Sequence, residues 1–320
     1  MPEPRWGLLI VLYLFLGGLS AGLFFVSALA TYLQAEGRPA YPRLARLGAL
    51  LAPWPVAVGS ALLVFDLGHW YRFYKLFVTF EWHSPMSIGA WLLGLFTLVT
   101  AAAFWAWLPP ETLATFVRRL PRRLRFLRFV DRPGRETLRR PLAMIGFPLA
   151  VGVGIYTGVL LGAVQARPFW NTNLVAQMFL FSALSSGCAL IILAVSLRSA
   201  GLDAAEARML YSLDIVLILL ELFIVIPYLI HGQLSPLAVR QALQLVLGGP
   251  FTFAFWGLFL AAGLLLPLAI ELWEMRPVLL DRGAFHSGRL LAGVSAALVL
   301  VGGFVLRYVF VYAGQMSTFQ

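Results

Sequence analysis

The chain reads as an all-α integral membrane protein with eight transmembrane helices, and three observations lead there. Only 12% of its 320 residues are charged and 61% are apolar or aromatic. A soluble domain carries roughly 25% charged residues, so about half of the polar surface that a water-exposed fold needs is missing. The apolar residues also form runs of about twenty or more, the length at which a helix crosses ~30 Å of hydrocarbon. Those runs are too long and too uniform for barrel strands, which alternate. A soluble domain and a disordered chain are both excluded.

The spans are expected at 7–33, 47–66, 87–107, 141–164, 173–198, 209–231, 250–271 and 290–314. The first could be mistaken for a cleaved signal, because Ala28-Leu29-Ala30 resembles a processing site. Its leading Met-Pro-Glu-Pro-Arg has no net basic charge and its apolar run is too long for an h-region, so it is expected to stay. The second span ends on Asp66. Residues 67–86 follow, and nine of the twenty are His, Trp, Tyr or Phe, which suits interfacial anchors or the wall of a site. Beyond the third span, 108–140 is a long basic loop with prolines at 109, 110, 121 and 133, suited to short surface helices on anionic lipid and dividing spans 1–4 from spans 5–8. The fourth span steps small residues at Gly154, Gly158 and Gly162, as the first does at Gly18 and Gly22. Such spacing lets helix backbones approach closely, so spans 1, 2 and 4 are expected to be neighbours. The fifth holds the single cysteine, Cys188, which packs as a small hydrophobe. Asp214, Glu221 and Tyr228 recur every seven residues in the sixth, and Arg307 lies in the eighth.

The net charge of +10 is a topology signal and not a nucleic-acid one. Loops 34–46, 108–140, 198–208 and 272–289 share one side and carry 18 Lys and Arg, against five on the other. The basic side faces the cytoplasm, so both termini are expected outside.

Ionisable groups inside spans are costly and need a reason. The seven-residue spacing puts Asp214, Glu221 and Tyr228 on one helix stripe, either a proton path or, with Arg307 reaching Glu221, a structural ion pair. A second group gathers by depth. At 1.5 Å per residue, Tyr13 lies roughly 9 Å below the outer start of span 1 and Tyr156 about 12 Å short of the outer end of span 4. Asp66 and His69 sit at the outer end of span 2, so the four share the outer third. Phenol and imidazole groups can donate to the two oxygens of a quinone headgroup, and a carboxylate can relay protons. Haem is disfavoured, because His69, His83 and His286 fall in loops and His231 ends span 6, leaving no axial pair within the spans. One cysteine excludes a thiolate-ligated cluster or a structural zinc site, and no metal is expected in this chain. No nucleotide-binding glycine loop is expected, since no strands are.

Six stretches stand in a familiar order: Gly17-Gly-Leu-Ser-Ala-Gly22, Asp66-Leu-Gly68 with Arg72-Phe73, Ser84-Pro-Met-Ser-Ile-Gly-Ala-Trp91, Tyr156-Thr-Gly158, Arg167-Pro-Phe-Trp170 and Phe181-Ser-Ala-Leu-Ser-Ser-Gly187. Together they resemble the polysulfide reductase/NrfD family of membrane quinone subunits, with spans 6–8 matching by hydropathy only. The resemblance implies two four-helix bundles: residues 1–140 plus 141–164, including the basic loop and a quinone site, and residues 165–320. It implies a haem-free subunit, not a catalyst alone, that exchanges electrons between menaquinone or ubiquinone and a ferredoxin-like iron–sulfur protein on the extracytoplasmic face. That protein connects in turn to a molybdenum-type catalytic subunit or a multihaem cytochrome, and the setting is a bacterial cytoplasmic membrane. Tyr156 matches the family tyrosine that hydrogen-bonds the quinone, and Asp66 the acidic proton acceptor or relay. Tyr13 stands where a relative has a histidine and Ile10 where it has an asparagine, which leaves His69 to supply an imidazole. Two readings stay open beside this one: a proton- or ion-translocating subunit working through Asp214, Glu221, Tyr228 and Arg307, and a passive anchor with a degenerate quinone site.

Overall fold

The computed structural model describes residues 6–35, 38–66, 80–109, 111, 134–197, 202–279 and 288–317. Most of the aromatic loop 67–86 and of the basic loop 108–140, with His69 and His286, lies outside the described residues. Eight helices are long and apolar enough to cross a membrane: Leu8–Tyr32, Pro42–Phe65, Pro85–Trp107, Arg135–Gly162, Leu174–Ser196, Ala204–Leu234, Phe253–Val278 and Arg289–Met316. They are numbered spans 1 to 8, and the chain is a multi-pass membrane protein.

Most ends agree with the hydropathy reading, and the exceptions have causes. Span 2 starts at Pro42 and runs in two pieces, Pro42–Leu51 and Pro53–Asp66. Pro53 and Pro55 have no N–H to donate, so rungs are lost at that point. Ser20 of span 1 donates to the Ala52 carbonyl at the break, at 2.5 Å. Span 6 begins five residues earlier than hydropathy suggests, because Glu206 is buried at the arginine-loop end. Its Oε1 accepts the main-chain N–H groups of Arg43 (2.7 Å) and Leu44 (3.4 Å), capping span 2. Span 7 opens with a wide π-type turn over Phe253–Leu265 and continues as α-helix to Leu279, well past residue 271. The one extended pairing among the described residues is a two-residue antiparallel ladder, Gln34–Ala35 with Arg38–Pro39, which corrects the expectation of no strands but builds no sheet of consequence.

Span 1 is the central helix and packs on spans 2, 4, 5 and 8. Spans 2 and 4 are its expected neighbours, and its small residues bring span 5 close as well. A Cβ on Gly22 would run into the backbone of Ala183 and Gly187, and one on Gly187 into Gly22 and Leu23. Spans 1 and 5 therefore cross backbone to backbone at this glycine pair. Gly158 of span 4 likewise faces the backbone of Ala176 in span 5. Span 4 meets span 1 through larger side chains, with the rings of Phe25 and Phe147 5.0 Å apart and tilted by 30°, and Gly146 lying under the ring of Phe24. The two chain ends meet beside span 5, where Gln315 of span 8 holds Trp6.

Candidate functional site

At the Trp6–Gln315 end, a cavity of about 310 Å³ opens among spans 1 to 4. Span 1 contributes Ile10, Tyr13 and Gly17, span 2 Leu63, span 3 Met86, Gly89 and Leu93, and span 4 Tyr156, Thr157 and Leu160, while Trp6 borders it ahead of span 1. The volume is at the lower end of the ~300–1,000 Å³ range of small-molecule sites, and an apolar wall with a few placed polar groups is their usual makeup.

Local sequence explains the placement. Ser84 caps span 3 by accepting the Ser87 N–H at 3.4 Å, and Pro85 takes the first helical position. Ser87 Oγ in turn accepts the Glu81 N–H at 3.1 Å, fixing the loop that enters the span. The helix start set in this way puts Met86 and Gly89 on the cavity side. Gly89 is there for room: a Cβ would overlap the ring and hydroxyl of Tyr156. The Tyr156 phenol thus lies directly on the backbone of span 3. Tyr13 is buried and its phenol is a neighbour of Tyr156. Thr157 is spoken for, since its hydroxyl donates to Gly154 O at 2.8 Å. The structure brings Tyr13 and Tyr156 to one cavity. Span 2 carries the chain to Asp66, one turn beyond Leu63, but the Asp66 side chain and His69 lie outside the described residues.

A second polar group runs through spans 5 to 8. Asp214, Glu221 and Tyr228 are all buried on one face of span 6, as their spacing requires. Arg307 is buried too, yet it makes no direct ion pair among the described residues. Ser182 and Glu221 both lie beside it. Arg307 Nη1 donates to Ser182 Oγ at 3.1 Å and to Gly303 O at 2.6 Å, with the Glu221 carboxylate close to that serine. Seven residues before Glu221, Asp214 Oδ1 accepts from Ser185 Oγ at 2.6 Å. Glu271 of span 7 faces Asp214 and accepts from Ser295 of span 8 at 3.1 Å. Asp214 Oδ2, Glu221 Oε1 and Glu271 Oε2 are buried and have no hydrogen-bond partner among the described residues. Glu274, one turn further, accepts the Gly288 N–H at 3.0 Å. At the other end, the Tyr228 hydroxyl donates to Phe169 O at 3.3 Å and its ring packs between Phe169 and Phe310.

Sequence reasoning missed Glu271 and Glu274 because span 7 was ended at 271. A signal was present in span 5, where Ser182, Ser185 and Ser186 make a polar stripe at helical spacing through an apolar run. Span 1 separates the two groups by its own thickness. Gly17 lines the cavity, whereas Gly18 faces the guanidinium of Arg307, which also lies 5.7 Å from the ring centre of Phe15. No group of three or more His, Cys, Asp or Glu that could hold a metal ion occurs among the described residues.

Comparison with known proteins extends over the whole sequence, including spans 6 to 8. The family profile "Polysulphide reductase, NrfD" matches residues 2–318. Protein NrfD of Escherichia coli is 31% identical, over 98% of this chain and 95% of its own length. The C component of the polysulfide reductase of Wolinella succinogenes is 30% identical, over 97% and 94%. The C component of the selenate reductase of Mesobacillus selenatarsenatis is 26% identical, over 96% and 73%.

Proposed function

The chain belongs to the polysulphide reductase NrfD family, and from that premise we propose that it is the haem-free membrane subunit of a respiratory oxidoreductase. It exchanges electrons between a membrane quinone and an iron–sulfur subunit docked over the Trp6–Gln315 end. One observation carries this reading: the cavity among spans 1 to 4 sets two phenols in an apolar enclosure. A quinone headgroup needs donors for its carbonyl oxygens and an apolar seat for its ring, and it supplies two-electron, two-proton chemistry when bound. Tyr156, held against Gly89, and Tyr13 donate from adjoining walls. Asp66, at the end of span 2, takes or returns protons on that side. The names of the relatives from Wolinella and Mesobacillus, both components of reductases, support a reductase partner; in this reading it is a molybdenum-type catalytic subunit or a multihaem cytochrome. The arginine-rich loops support an orientation in a bacterial cytoplasmic membrane with the Trp6–Gln315 end on the extracytoplasmic side.

The test is Tyr156→Phe in the assembled complex. Loss of one hydrogen bond of ~1–1.5 kcal/mol raises the quinol KM about five- to tenfold. Unchanged turnover and unchanged quinone affinity would remove Tyr156 from the site.

The polar group in spans 5 to 8 supports a second role, proton translocation. Three buried carboxylates with an oxygen each left unpartnered are costly in an apolar bundle, and ionisable groups there default to a function. In this role Glu221, Asp214 and Glu271 hold protons, Arg307 and Ser182 set the charge beside Glu221, and Tyr228 closes the path toward the Trp6–Gln315 end.

A further inference from the structure

Trp6 borders the cavity, but it stands two residues ahead of span 1 and is only half-buried. Its own helix does not hold it. What holds it comes from the far end of the chain. The Trp6 N–H donates to Gln315 Oε1 at 2.8 Å, and Gln315 Nε2 donates back to the Trp6 carbonyl at 3.0 Å. A side-chain amide carries an acceptor and a donor side by side, so it can accept from a residue's N–H and donate to its C=O at once. Gln315 therefore fixes the Trp6 backbone as a neighbouring strand would.

The Trp6 indole is set by a second contact. It stacks on Trp170 with ring centres 5.2 Å apart and planes 24° from parallel. Trp170 is itself buried, and its Nε1–H donates to Phe310 O of span 8 at 2.6 Å. A Cβ on Gly314 would collide with the Trp170 indole, so span 8 has a gap shaped for that ring. Arg167 completes the joint, donating to Gln315 O at 2.6 Å and Ser317 O at 2.7 Å. The Arg167-Pro-Phe-Trp170 motif thus serves to bind the end of span 8. Span 8 lends no side chain to the cavity lining, yet both restraints on Trp6 lead to it.

We propose that Trp6 is a quinone-contacting lid on the headgroup cavity, and that Gln315 and Trp170 are the positioning residues that hold it shut. The proposal rests on the cavity being the quinone site. With the lid held, the ring of the bound molecule has an indole face on one side and is shielded from water at the end where the partner subunit docks. With the clasp broken, the lid swings free and the site loses affinity, while its donors, Tyr13 and Tyr156, stay in place. The signature is therefore in KM and not in kcat.

The experiment uses the assembled complex in membranes, a short-chain quinol as substrate and 2-heptyl-4-hydroxyquinoline N-oxide as the binding probe. Gln315→Leu and Trp6→Ala are expected to raise the quinol KM and the inhibitor Kd up to about tenfold, the worth of an aromatic ring contact. The kcat stays within about twofold, as for lost uniform binding. Trp6→Phe keeps a ring and restores both constants to near wild type. Gln315→Glu accepts but cannot donate, and falls between. Tryptophan fluorescence gives a readout that simple destabilisation does not mimic: the quenching by quinone lost in Trp6→Phe is also lost in Gln315→Leu. Unchanged KM and Kd in Gln315→Leu, with both raised in Tyr156→Phe, overturns the clasp and leaves the quinone site standing. Wild-type complex that does not bind the inhibitor at all overturns the site and the clasp together. Should Gln315→Leu fail to assemble, Trp6→Ala against Trp6→Phe decides alone, and equal constants in the two reject the lid.

Discussion

Gly89 and Tyr156 are a matched pair, because the phenol occupies the volume where any other residue at 89 would carry its first carbon. Gly89→Ala is therefore expected to push Tyr156 off the wall of span 3 and to raise the quinol KM about as much as Tyr156→Phe does. The two losses should not add, since contacting residues couple by ~0.5–3 kcal/mol. A double variant no worse than either single one checks this, measured as quinol KM in the assembled complex. Arg307 makes a different kind of residue-scale claim. It is buried, it sits on the Ser182 hydroxyl and two main-chain carbonyls, and Glu221 lies close to that serine. Arg307→Met leaves Glu221 without that neighbouring cation and removes the donors to Ser182 and Gly303, and is expected to destabilise the bundle. Arg307→Met with Glu221→Gln removes both charges and recovers most of that loss, read as the temperature at which the detergent-solubilised complex dissociates. Tyr13 and Tyr156 were legible from depth arithmetic alone, as was the stripe of Asp214, Glu221 and Tyr228 from its spacing. Ser182 was not, because a hydroxyl in an apolar run gains its meaning only from the two charges that fold against it.

The run Gly17-Gly18-Leu-Ser-Ala-Gly22 shows how one helix serves three neighbours. Gly17 has open space where a side chain would go, because it faces the cavity, while Gly22 has the backbone of span 5 there. Gly17→Ala is thus expected to leave assembly intact and to shrink the cavity, raising the inhibitor Kd. Gly22→Ala is expected to drive spans 1 and 5 apart and to cut the amount of complex recovered from membranes. Two alanine variants five residues apart, with opposite readouts, test the packing directly; equal yields would contradict it. The existence of the eight spans was written in hydropathy, since each must cover the hydrocarbon. The packing of span 1 on spans 2 and 4 was legible too, but which helix meets each glycine was not. Small-residue spacing says that a backbone can come close and does not say which one, so Gly22 and Gly158 both meet span 5 and not each other's helices. The ends of spans 6 and 7 were misjudged for a related reason. Glu206, Glu271 and Glu274 lower local hydropathy, but each is buried, and Glu206 and Glu274 accept main-chain N–H groups there, so the helix runs on through them.

At the scale of the whole molecule, the cavity and the buried carboxylates use different helices, with span 1 between them. We propose that the division into residues 1–164 and 165–320 is also a division of labour, with redox chemistry in spans 1 to 4 and proton handling in spans 5 to 8. Glu271 tests this best. It lies in span 7, contributes nothing to the cavity and faces Asp214, with one oxygen on Ser295 and the other unpartnered. Glu271→Gln keeps the size of the side chain and an oxygen for Ser295 but cannot take up or release a proton. In sealed vesicles containing the complex, quinol oxidation should continue within about twofold of wild type, because no residue that meets the quinone has changed. Proton movement coupled to it, followed with a pH-sensitive dye, should fall to the amount released by quinol chemistry at the cavity. Asp214→Asn should do the same, and the pair together no more than either alone, because a path is blocked once. An unchanged proton-to-electron ratio in both variants would take spans 5 to 8 out of the path. A parallel fall in quinol oxidation itself would mean that the carboxylates support the redox half, and the division at residue 164 would then be one of sequence only.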